Sequence, residues 1–514
     1  MTPRQSFKNL VFLLCAGLPA GLDAGDQPQW GQAWSRNMVS SERHLPEAFD
    51  PKSGKNIKWI AKLGTQSHST PVVAGGRVYI GTNNGEPRDP RHAGDRGVLL
   101  CLDEPTGNLL WQLVVPKREE DPFHDWPKTG ISSPVTVEGN RVYLVDNRGV
   151  VLCLDARGLA DGNDGPFREE GAYMTPRGTN APLVPLKPGP LDADILWQLD
   201  LTQQAGIWSH DAAHSSILIH GDHLYLNTGT GVDNTHKRIR TPDAPSLVVV
   251  DKRTGQLLAR DDEHMAPDIF HCTWSSPSLG ILGGREVIFF AGGNGIVYAF
   301  EPWVAKKGQM PAKIKSIWHF DFDPDAQKTN VHRFNSNRKE GPSNIYGMPV
   351  FRDGAIYVAG GGDWFWGKNE AWLKCIELPG TVGGILVTNP SGLRWSHPLG
   401  RHTMSTPAVQ DGLVFATDAM RTVHCIDAQT GQGIWTHELK GEIWASTLVA
   451  DGKVYVGTQR GDFWVFAASR EKKVLGSVEL GAPISATSSA ANGVLYVGTM
   501  THLYAVAADA RGEK

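Results

Sequence analysis

The stretch ASTLVADGKVYVGT, from Ala445 to Thr458, joins two short apolar segments through an Asp-Gly pair. Apolar runs on both sides of such a pair are typical of two antiparallel strands and a tight turn. The related stretch ATSSAANGVLYVGT begins at Ala486, and the aromatic residues after the two turns, Tyr455 and Tyr496, are 41 residues apart. A repeat of about 40–45 residues is the length of one four-stranded β-propeller blade.

The same pattern occurs eight times along the chain. Each copy has a Ser or Thr before a short apolar strand, a Gly-containing turn, and a second strand with a central aromatic residue. The earlier copies are further apart, and loops rich in Gly, Pro and Asp fill the difference. The copies begin at Ser69, Ser132, Ser215, Ser275, Gly347, Ser405, Ala445 and Ala486.

A second motif follows several copies and reads D-x-x-T-G followed by a Trp. Examples are CLDEPTGNLLW, from Cys101 to Trp111, and CIDAQTGQGIW, from Cys425 to Trp435. The Asp can accept hydrogen bonds from the turn amides, and Gly adopts the positive φ that the turn needs. The Trp after the turn then supplies a large surface that packs against the neighbouring blade.

Trp59, in NIKWIAKL, belongs to a fourth strand that has no first three strands before it, whereas the last copy ends after three strands. We therefore predict an all-β fold, an eight-bladed β-propeller of four-stranded antiparallel blades, in which an N-terminal strand near Ile57–Leu63 completes the last blade. Closing the ring in this way removes exposed sheet edges. The alternative is a seven-bladed ring with one degenerate copy. The predicted organisation is a signal peptide at 1–24, an N-terminal extension at 25–54, the propeller at 55–508 and a tail at 509–514.

The N-terminus has the pattern of an export signal. Arg4 and Lys8 precede LVFLLCAGLPA, an apolar run shorter than the ~20 residues that span a bilayer, and a small-residue exit lies near Ala24. This predicts a periplasmic or secreted protein; a mature amphipathic start is the alternative, and Leu14 argues against a lipid anchor on Cys15. No other stretch is apolar enough to span a membrane. The net charge is −4 and no Lys/Arg block occurs, so a nucleic-acid partner is not expected.

The cysteines after the leader do not form a disulfide framework, because they are few, odd in number and not paired as CxxC. Cys101, Cys153, Cys375 and Cys425 occupy one position of the repeat, where other copies have Ala or Val. A small buried apolar residue is expected there, and free Cys behaves as one. Cys272, just before a first strand, is the exception.

These repeats resemble the pyrroloquinoline-quinone-like (PQQ-like) β-propeller family of exported bacterial proteins. The resemblance extends from about Trp30 to Val506 and includes CLDARGLADGNDGPFREE, GVDNTHKRIRTPDAPSLVVVDKRTG and FAGGNGIVYAFEP. It implies the fold strongly and the activity weakly, because propellers carry many functions. One branch, the quinoprotein dehydrogenases, implies PQQ and calcium, but its adjacent cysteine pair is missing here and its calcium and catalytic residues do not map onto this chain. The other branch, exemplified by the outer-membrane assembly factor BamB, implies a non-enzymatic binding scaffold.

Candidate ligand-binding residues lie where the first strands begin, because these starts converge at one mouth of a propeller channel. Aromatic rings there can stack on planar ligands, and histidines can bind metals or move protons; plugging of the channel by the aromatics is the alternative. Long insertions at Glu86–Arg96, Pro116–Lys128, Gly231–Pro245 and Gly361–Glu370 are predicted to share this face. The candidates are His68, His210, Asp211, His214, His271, Trp274, Tyr346, Trp364, Trp366, His402, Met404 and Trp444.

On the other face, Asp161, Asn163 and Asp164 have the oxygen ligands that calcium prefers, but they do not meet the EF-hand pattern, and a Gly-rich turn explains them as well. We assign no catalytic and no metal-binding residue. The sequence favours a monomeric binding or scaffold module for a protein, a polysaccharide or a small planar ligand. The alternative is a quinoprotein-type oxidoreductase that uses PQQ and a divalent cation.

Overall fold

The computed structural model describes residues 25–118, 121–176, 184–211, 215–305, 308, 310–378, 381–382, 385–386 and 392–511. The predicted signal peptide, residues 1–24, therefore lies outside the described residues. The described residues form eight blades, each built from four antiparallel strands. In seven blades the first and fourth strands are the edges of the sheet, and blade 3 has one more strand beside its fourth. The eight-bladed prediction is confirmed, and the seven-bladed alternative is wrong.

The strands are given blade by blade in the order first to fourth. Blades 1 to 4 comprise Val72–Ala74, Arg77–Asn83, Arg96–Asp103 and Leu109–Pro116; Thr136–Glu138, Arg141–Val145, Val150–Asp155 and Ile195–Asp200; Leu218–His220, His223–Asn227, Leu247–Asp251 and Leu257–Asp261; and Ser278–Leu282, Arg285–Ala291, Ile296–Phe300 and Trp318–Asp321. Blades 5 to 8 comprise Val350–Arg352, Ala355–Gly361, Ala371–Glu377 and Leu393–Leu399; Ala408–Gln410, Leu413–Thr417, Thr422–Asp427 and Gly433–Glu438; Leu448–Ala450, Lys453–Gly457, Asp462–Ala467 and Val474–Glu479; and Ser489–Ala491, Val494–Gly498, His502–Arg511 and Lys55–Lys62.

The ring closes as predicted, because Lys55–Lys62 is the fourth strand of blade 8. It runs antiparallel to His502–Arg511, with Trp59 opposite Ala505 and Ile60 opposite Tyr504. The third strand of this blade continues to Arg511, three residues beyond the predicted propeller boundary at 508.

Few other elements accompany the blades. Ala312–Ile314 adds a fifth, parallel strand to blade 3, and Thr381–Val382 pairs with Ile385–Leu386 in a small hairpin. None of the helices in the described part of the chain has the length and apolar character needed to cross a bilayer. The α-helices are Glu170–Met174 and Leu201–Gln204, and the 3₁₀ helices are Gly158–Ala160, Ala266–Asp268 and Val331–Phe334.

In the blades that have a Trp in the fourth strand, a row of three side chains explains the small-residue position of the repeat. In blade 1, Tyr79 lies opposite Cys101, which lies opposite Trp111. Blade 6 repeats the row with Phe415, Cys425 and Trp435. A small residue between two large rings allows both to pack in the same layer. The five cysteines among the described residues are free and buried, which agrees with the structural role predicted for four of them.

In blades 1, 2, 5, 6 and 8 the fourth-strand Trp also joins the blade to the next one. Trp395 of blade 5 donates its indole N–H to the carbonyl of Ala428 in blade 6 at 3.0 Å. Its ring lies against Gly431 of the T-G turn, where an added Cβ would come within 2.6 Å of Trp395 Cδ2. Gly431 is therefore required twice, for its φ of +74° and for the ring that covers it.

The N-terminal segment 25–40 crosses the ring and reaches all eight first strands or their approaches, which the sequence did not predict. Its backbone oxygens accept hydrogen bonds from the amides of blades 1, 2, 4, 5 and 7, and its side chains reach blades 3, 6 and 8. The acceptors Gln27, Pro28, Trp34, Ser35 and Met38 receive the amides of Val73, Val137, Leu279, Phe351 and Val449. The segment closes the end of the channel opposite to the starts of the first strands.

Arg36 anchors this segment. Its side chain is 0 % exposed and donates to the carbonyls of Trp30, Pro277 and Ser216 and to the Ser216 hydroxyl, at 2.8–3.0 Å. Burial lowers the pKa of Arg36 to about 9. These hydrogen bonds offset the desolvation of the cation, so the guanidinium ties the segment to blades 3 and 4.

Candidate functional site

The other mouth of the channel opens into a cavity of about 540 Å³, which we call the mouth cavity. Each of the eight blades contributes lining residues, either before its first strand or from a loop on the same face. Trp30 of the N-terminal segment reaches the cavity from the closed end. The aromatic residues therefore surround an open space. The plugging alternative would require them to fill the channel.

Most of the predicted site residues come together here. Trp364 and His402 are not among the lining residues; they pack against each other with ring centroids 5.3 Å apart. His210 lies directly behind the cavity wall, and His214 is outside the described residues. Trp364 and Trp366 are half-buried. The predicted residues that line the cavity are His68, Asp211, His271, Trp274, Tyr346, Trp366, Met404 and Trp444.

Two aromatic pairs lie on opposite sides of the ring. His68 and Trp444 stack with centroids 6.5 Å apart and an interplanar angle of 21°. Facing them, Trp274 and Tyr346 lie 4.7 Å apart and are tilted by 38°. Because blades 7 and 1 carry the first pair and blades 4 and 5 carry the second, the cavity has an apolar aromatic wall on each side.

The cavity carries little charge. Among its described lining residues Asp211 is the one carboxylate, and none is Lys or Arg. Burial raises the pKa of Asp211 to about 6, so the group is mostly ionised at pH 7. Burial lowers the pKa of His68 to about 4, which keeps that imidazole neutral.

Three histidines converge beside Asp211. His210, His236 and His271 each offer a ring nitrogen, and these atoms lie within 4.8 Å of one another. Asp211 Oδ2 lies 3.7 Å from His210 Nε2 and 4.0 Å from His271 Nε2. We call these four residues the histidine cluster. Asp211, His236 and His271 also line the mouth cavity.

The backbone holds the three histidine segments together. Thr230 forms an antiparallel β-bridge with Ser209, and the next residue, Gly231, forms one with Cys272. A Cβ on Gly231 would lie 2.6 Å from the His271 carbonyl oxygen and 2.7 Å from His210 Cβ, so only glycine fits between them. The Gly231–Pro245 insertion then continues to His236, whose amide donates to the Asp233 carbonyl at 2.9 Å.

Hydrogen bonds fix which nitrogens face the centre of the cluster. His210 Nδ1 donates to the carbonyl of Val232 at 3.0 Å, and His271 Nδ1 donates to Asp363 Oδ2 at 3.1 Å. With Nδ1 as the donor in each ring, the Nε2 atoms of His210 and His271 are the nitrogens that face Asp211. Asp363 is 0 % exposed and also accepts from the Tyr346 hydroxyl and from the Trp366 amide.

The ionisation states follow from burial and from the two carboxylates. Burial, reinforced by the charge of His271, lowers the pKa of His210 well below its ordinary value. Burial also lowers the pKa of His236. Burial opposes protonation of His271, but the charge and hydrogen bond of Asp363 and the charge of Asp211 outweigh it and raise the pKa of His271.

Several site residues were missed because they lie inside loops without a repeat. Phe123 and Trp126 come from the insertion Pro116–Lys128, and Phe365 comes from Gly361–Glu370. With His236, three of the four insertions named from sequence reach the cavity. His236 lies in the third. The prediction that these loops share the mouth was the available signal, but it did not single out residues.

Two other clusters of acidic residues are in contact with arginine side chains. Asp89, His92 and Asp192 lie close together, but Arg91 donates to both carboxylates at 2.5–3.0 Å. In the loop that contains Asp161, Asn163 and Asp164, Asn163 Oδ1 accepts from Arg168 and Asp161 pairs with Arg157. In both arrangements, arginines occupy oxygen atoms that a cation would need.

Comparison with known proteins places this geometry among the PQQ-like propellers. The family model described as outer membrane protein assembly factor BamB matches residues 41–302 and 383–511. BamB from Moraxella catarrhalis has a similar structure, with 12% identity, a TM-score of 0.51 and coverage of 89% of this chain and 99% of that one. A computationally designed protein, Ika8, superposes with a TM-score of 0.50 and 12% identity over 91% of this chain and 99% of its own.

One curated relative is similar over a short region. Quinohemoprotein alcohol dehydrogenase of Comamonas testosteroni is 33% identical over 96 residues, which is 16% of this chain and 14% of that protein's length. The match therefore spans about a seventh of the relative.

The fold and the cavity define an eight-bladed PQQ-like β-propeller with a closed floor and an aromatic mouth. The family match covers more than half of the residues and confirms the resemblance read from the repeats. The chain belongs to the family described as outer membrane protein assembly factor BamB.

Proposed function

We propose that the protein is an exported binding module that takes a small, planar, mostly uncharged organic ligand into the mouth cavity. The observation that carries this proposal is the shape of the cavity: about 540 Å³, closed at one end by the N-terminal segment and walled by aromatic rings. A volume of this size lies within the ~300–1,000 Å³ range of small-molecule sites. A protein or polysaccharide partner would instead favour an open, shallow surface.

The two aromatic pairs support a flat ligand. A ring that enters from the mouth meets His68 with Trp444 on one side and Trp274 with Tyr346 on the other. Offset stacking and edge contacts of this kind each contribute about 0.5–1.5 kcal/mol beyond area burial.

The alternative function, a quinoprotein oxidoreductase, requires PQQ and a divalent cation in this cavity. The residues do not fit that pair. PQQ is a tricarboxylate, and the described lining residues include one carboxylate and no Lys or Arg to balance it. Calcium takes about 6–8 oxygen ligands, whereas the one ionisable cluster on the cavity wall is rich in nitrogen. The short match to a dehydrogenase therefore carries no reaction step here.

Export to the periplasm or the medium is part of the same proposal. The apolar leader after Arg4 and Lys8 supports it, as does membership of a family described by an outer-membrane role. The ligand would then be met outside the cytoplasm.

Titration calorimetry with three probes tests the proposal: naphthol as a neutral planar ring, PQQ with calcium, and maltotriose as a sugar. We expect naphthol to bind, and Trp444→Ala or Trp274→Ala to weaken it about tenfold, since one lost stacking contact of about 1.4 kcal/mol corresponds to that factor. Trp34→Ala is the matched control, because Trp34 is 60% exposed and belongs to the segment at the opposite end of the channel.

Each probe has a defined meaning. Naphthol binding that is lost in the cavity variants and kept in the control supports the proposal. Tight binding of PQQ with calcium would replace it by the quinoprotein reading. Binding of maltotriose alone, or naphthol binding that the cavity variants leave unchanged, would overturn it.

A further inference from the structure

We propose that the histidine cluster binds one divalent transition-metal ion through His210, His236, His271 and Asp211. The site does not require the organic ligand proposed above, because all four donors belong to the protein. It adds a chemistry that neither the fold nor the aromatic cavity requires.

A buried nitrogen without a partner points to the ion. His210 is 1% exposed, and its Nε2 has no hydrogen-bond donor within reach, although its Nδ1 is satisfied by Val232. Burying a polar atom without a partner is unfavourable. A metal ion between His210 Nε2 and the other donors would satisfy this atom, which no neighbouring side chain does.

The surrounding hydrogen bonds are those of a metal site. A ligating histidine typically donates its second ring N–H to a carbonyl or carboxylate, which fixes its orientation and raises its basicity. His210 donates to the carbonyl of Val232, and His271 donates to the buried carboxylate of Asp363. Asp363 is held in turn by the Tyr346 hydroxyl and the Trp366 amide.

The distances need only a small adjustment. Tetrahedral ligands at about 2.0–2.1 Å from zinc lie about 3.3 Å apart. The ring nitrogens lie within 4.8 Å of one another, and the Asp211 oxygen lies 3.7 Å from His210 Nε2. Side-chain rotations of about an ångström therefore complete the site, and Asp211 can move because its carboxylate is partly exposed.

The donor set selects the ion. Three imidazole nitrogens and one carboxylate suit zinc, cobalt, nickel or copper, whereas calcium and magnesium require oxygen. Since Asp211, His236 and His271 also line the mouth cavity, an additional coordination position of the ion would face the space where a ligand enters.

Cobalt(II) and zinc(II) alone, added to the metal-stripped full-length mature protein, test the proposal. We expect one equivalent of cobalt to bind with visible d–d absorption of a low-symmetry nitrogen–oxygen site, and zinc to displace it. His236→Ala should abolish the absorption, and Asp363→Asn, which leaves every ligand in place, should weaken binding by about 10- to 100-fold. His319→Ala, a change at an exposed histidine on an outer strand, should leave binding unchanged.

The choice of His236 keeps the test interpretable, because this residue is half-buried in a surface loop and its removal leaves the blades intact. Circular dichroism and the melting temperature establish that each variant is folded. Cobalt binding that is absent, that shows no d–d bands, or that persists in folded His236→Ala would overturn the metal site. Naphthol binding by His236→Ala without metal binding would retain the organic ligand site while supporting a separate metal site.

Discussion

Two glycines of blade 6 isolate the contribution of the contact between blades. Gly431 and Gly412 have the same φ, +74°. Substitution of either by Ala places a Cβ in the left-handed region, which costs about 1–2 kcal/mol. A Cβ on Gly412 meets nothing within 4 Å, whereas a Cβ on Gly431 would lie 2.6–2.8 Å from three ring atoms of Trp395.

The difference between the two variants therefore measures the packing of Trp395 on the T-G turn. The ring must retreat by most of an ångström, which strains its hydrogen bond to Ala428, and overpacking of this kind costs about 1–3 kcal/mol. We expect Gly412→Ala to lower the free energy of unfolding by about 1–2 kcal/mol and Gly431→Ala to lower it by about 2–5 kcal/mol.

Urea denaturation followed by circular dichroism and by tryptophan fluorescence provides the comparison, with both variants measured side by side. Coincident transitions from the two probes establish that one free energy describes unfolding. Equal destabilisation by Gly412→Ala and Gly431→Ala would refute the role of the Trp–Gly contact in joining the blades.

Three further predictions concern the closed floor, a buried histidine and the thiols. Arg36→Met should release the N-terminal segment and speed its cleavage by protease, because it leaves buried carbonyls without their donor, at about 1–3 kcal/mol for each. Arg43→Met, at an exposed position, should do neither, and equal cleavage of the two variants would contradict the anchoring role. Burial lowers the pKa of His124 to about 4, below the unfolded value of about 6.5. The neutral imidazole therefore contributes its full stability to the fold above pH 6.5, and about 3 kcal/mol of stability is lost as the pH falls toward 4. His124→Asn should remove that part of the pH dependence of unfolding, and an unchanged profile would argue against it. Burial raises the pKa of Cys375 to about 11 and of Cys425 to about 12, so neither thiol should react with Ellman's reagent before unfolding; rapid native labelling would contradict the structural role of these residues.

The repeat made most of the fold predictable. Strand, turn and packing signals recur within each copy of about 40 residues, and Trp59 marked the strand that closes the ring. The registers of Tyr79, Cys101 and Trp111 follow from the same local pattern. Residues whose partners lie in the same or the next copy were therefore within reach of sequence reasoning.

The closed end of the channel and the loop residues of the site depend on contacts that have no sequence signature. Segment 25–40 crosses the channel largely through backbone hydrogen bonds, which almost any residue can make, and Arg36 gave no sign of burial. The rim residues His68, Trp274 and Trp444 were predictable because each precedes a repeat. His236 and Asp363 were not, because they lie in long loops whose paths are set by distant contacts such as that between Gly231 and Cys272.

The most direct test of ligand binding in the mouth cavity is a crystal structure of the protein soaked with bromonaphthol, with anomalous data collected at the bromine edge. We predict a strong bromine peak inside the cavity, between the His68–Trp444 pair and the Trp274–Tyr346 pair. Bromine bound solely at the outer surface, or absent from the cavity at a saturating concentration, would contradict a small-molecule site at this mouth.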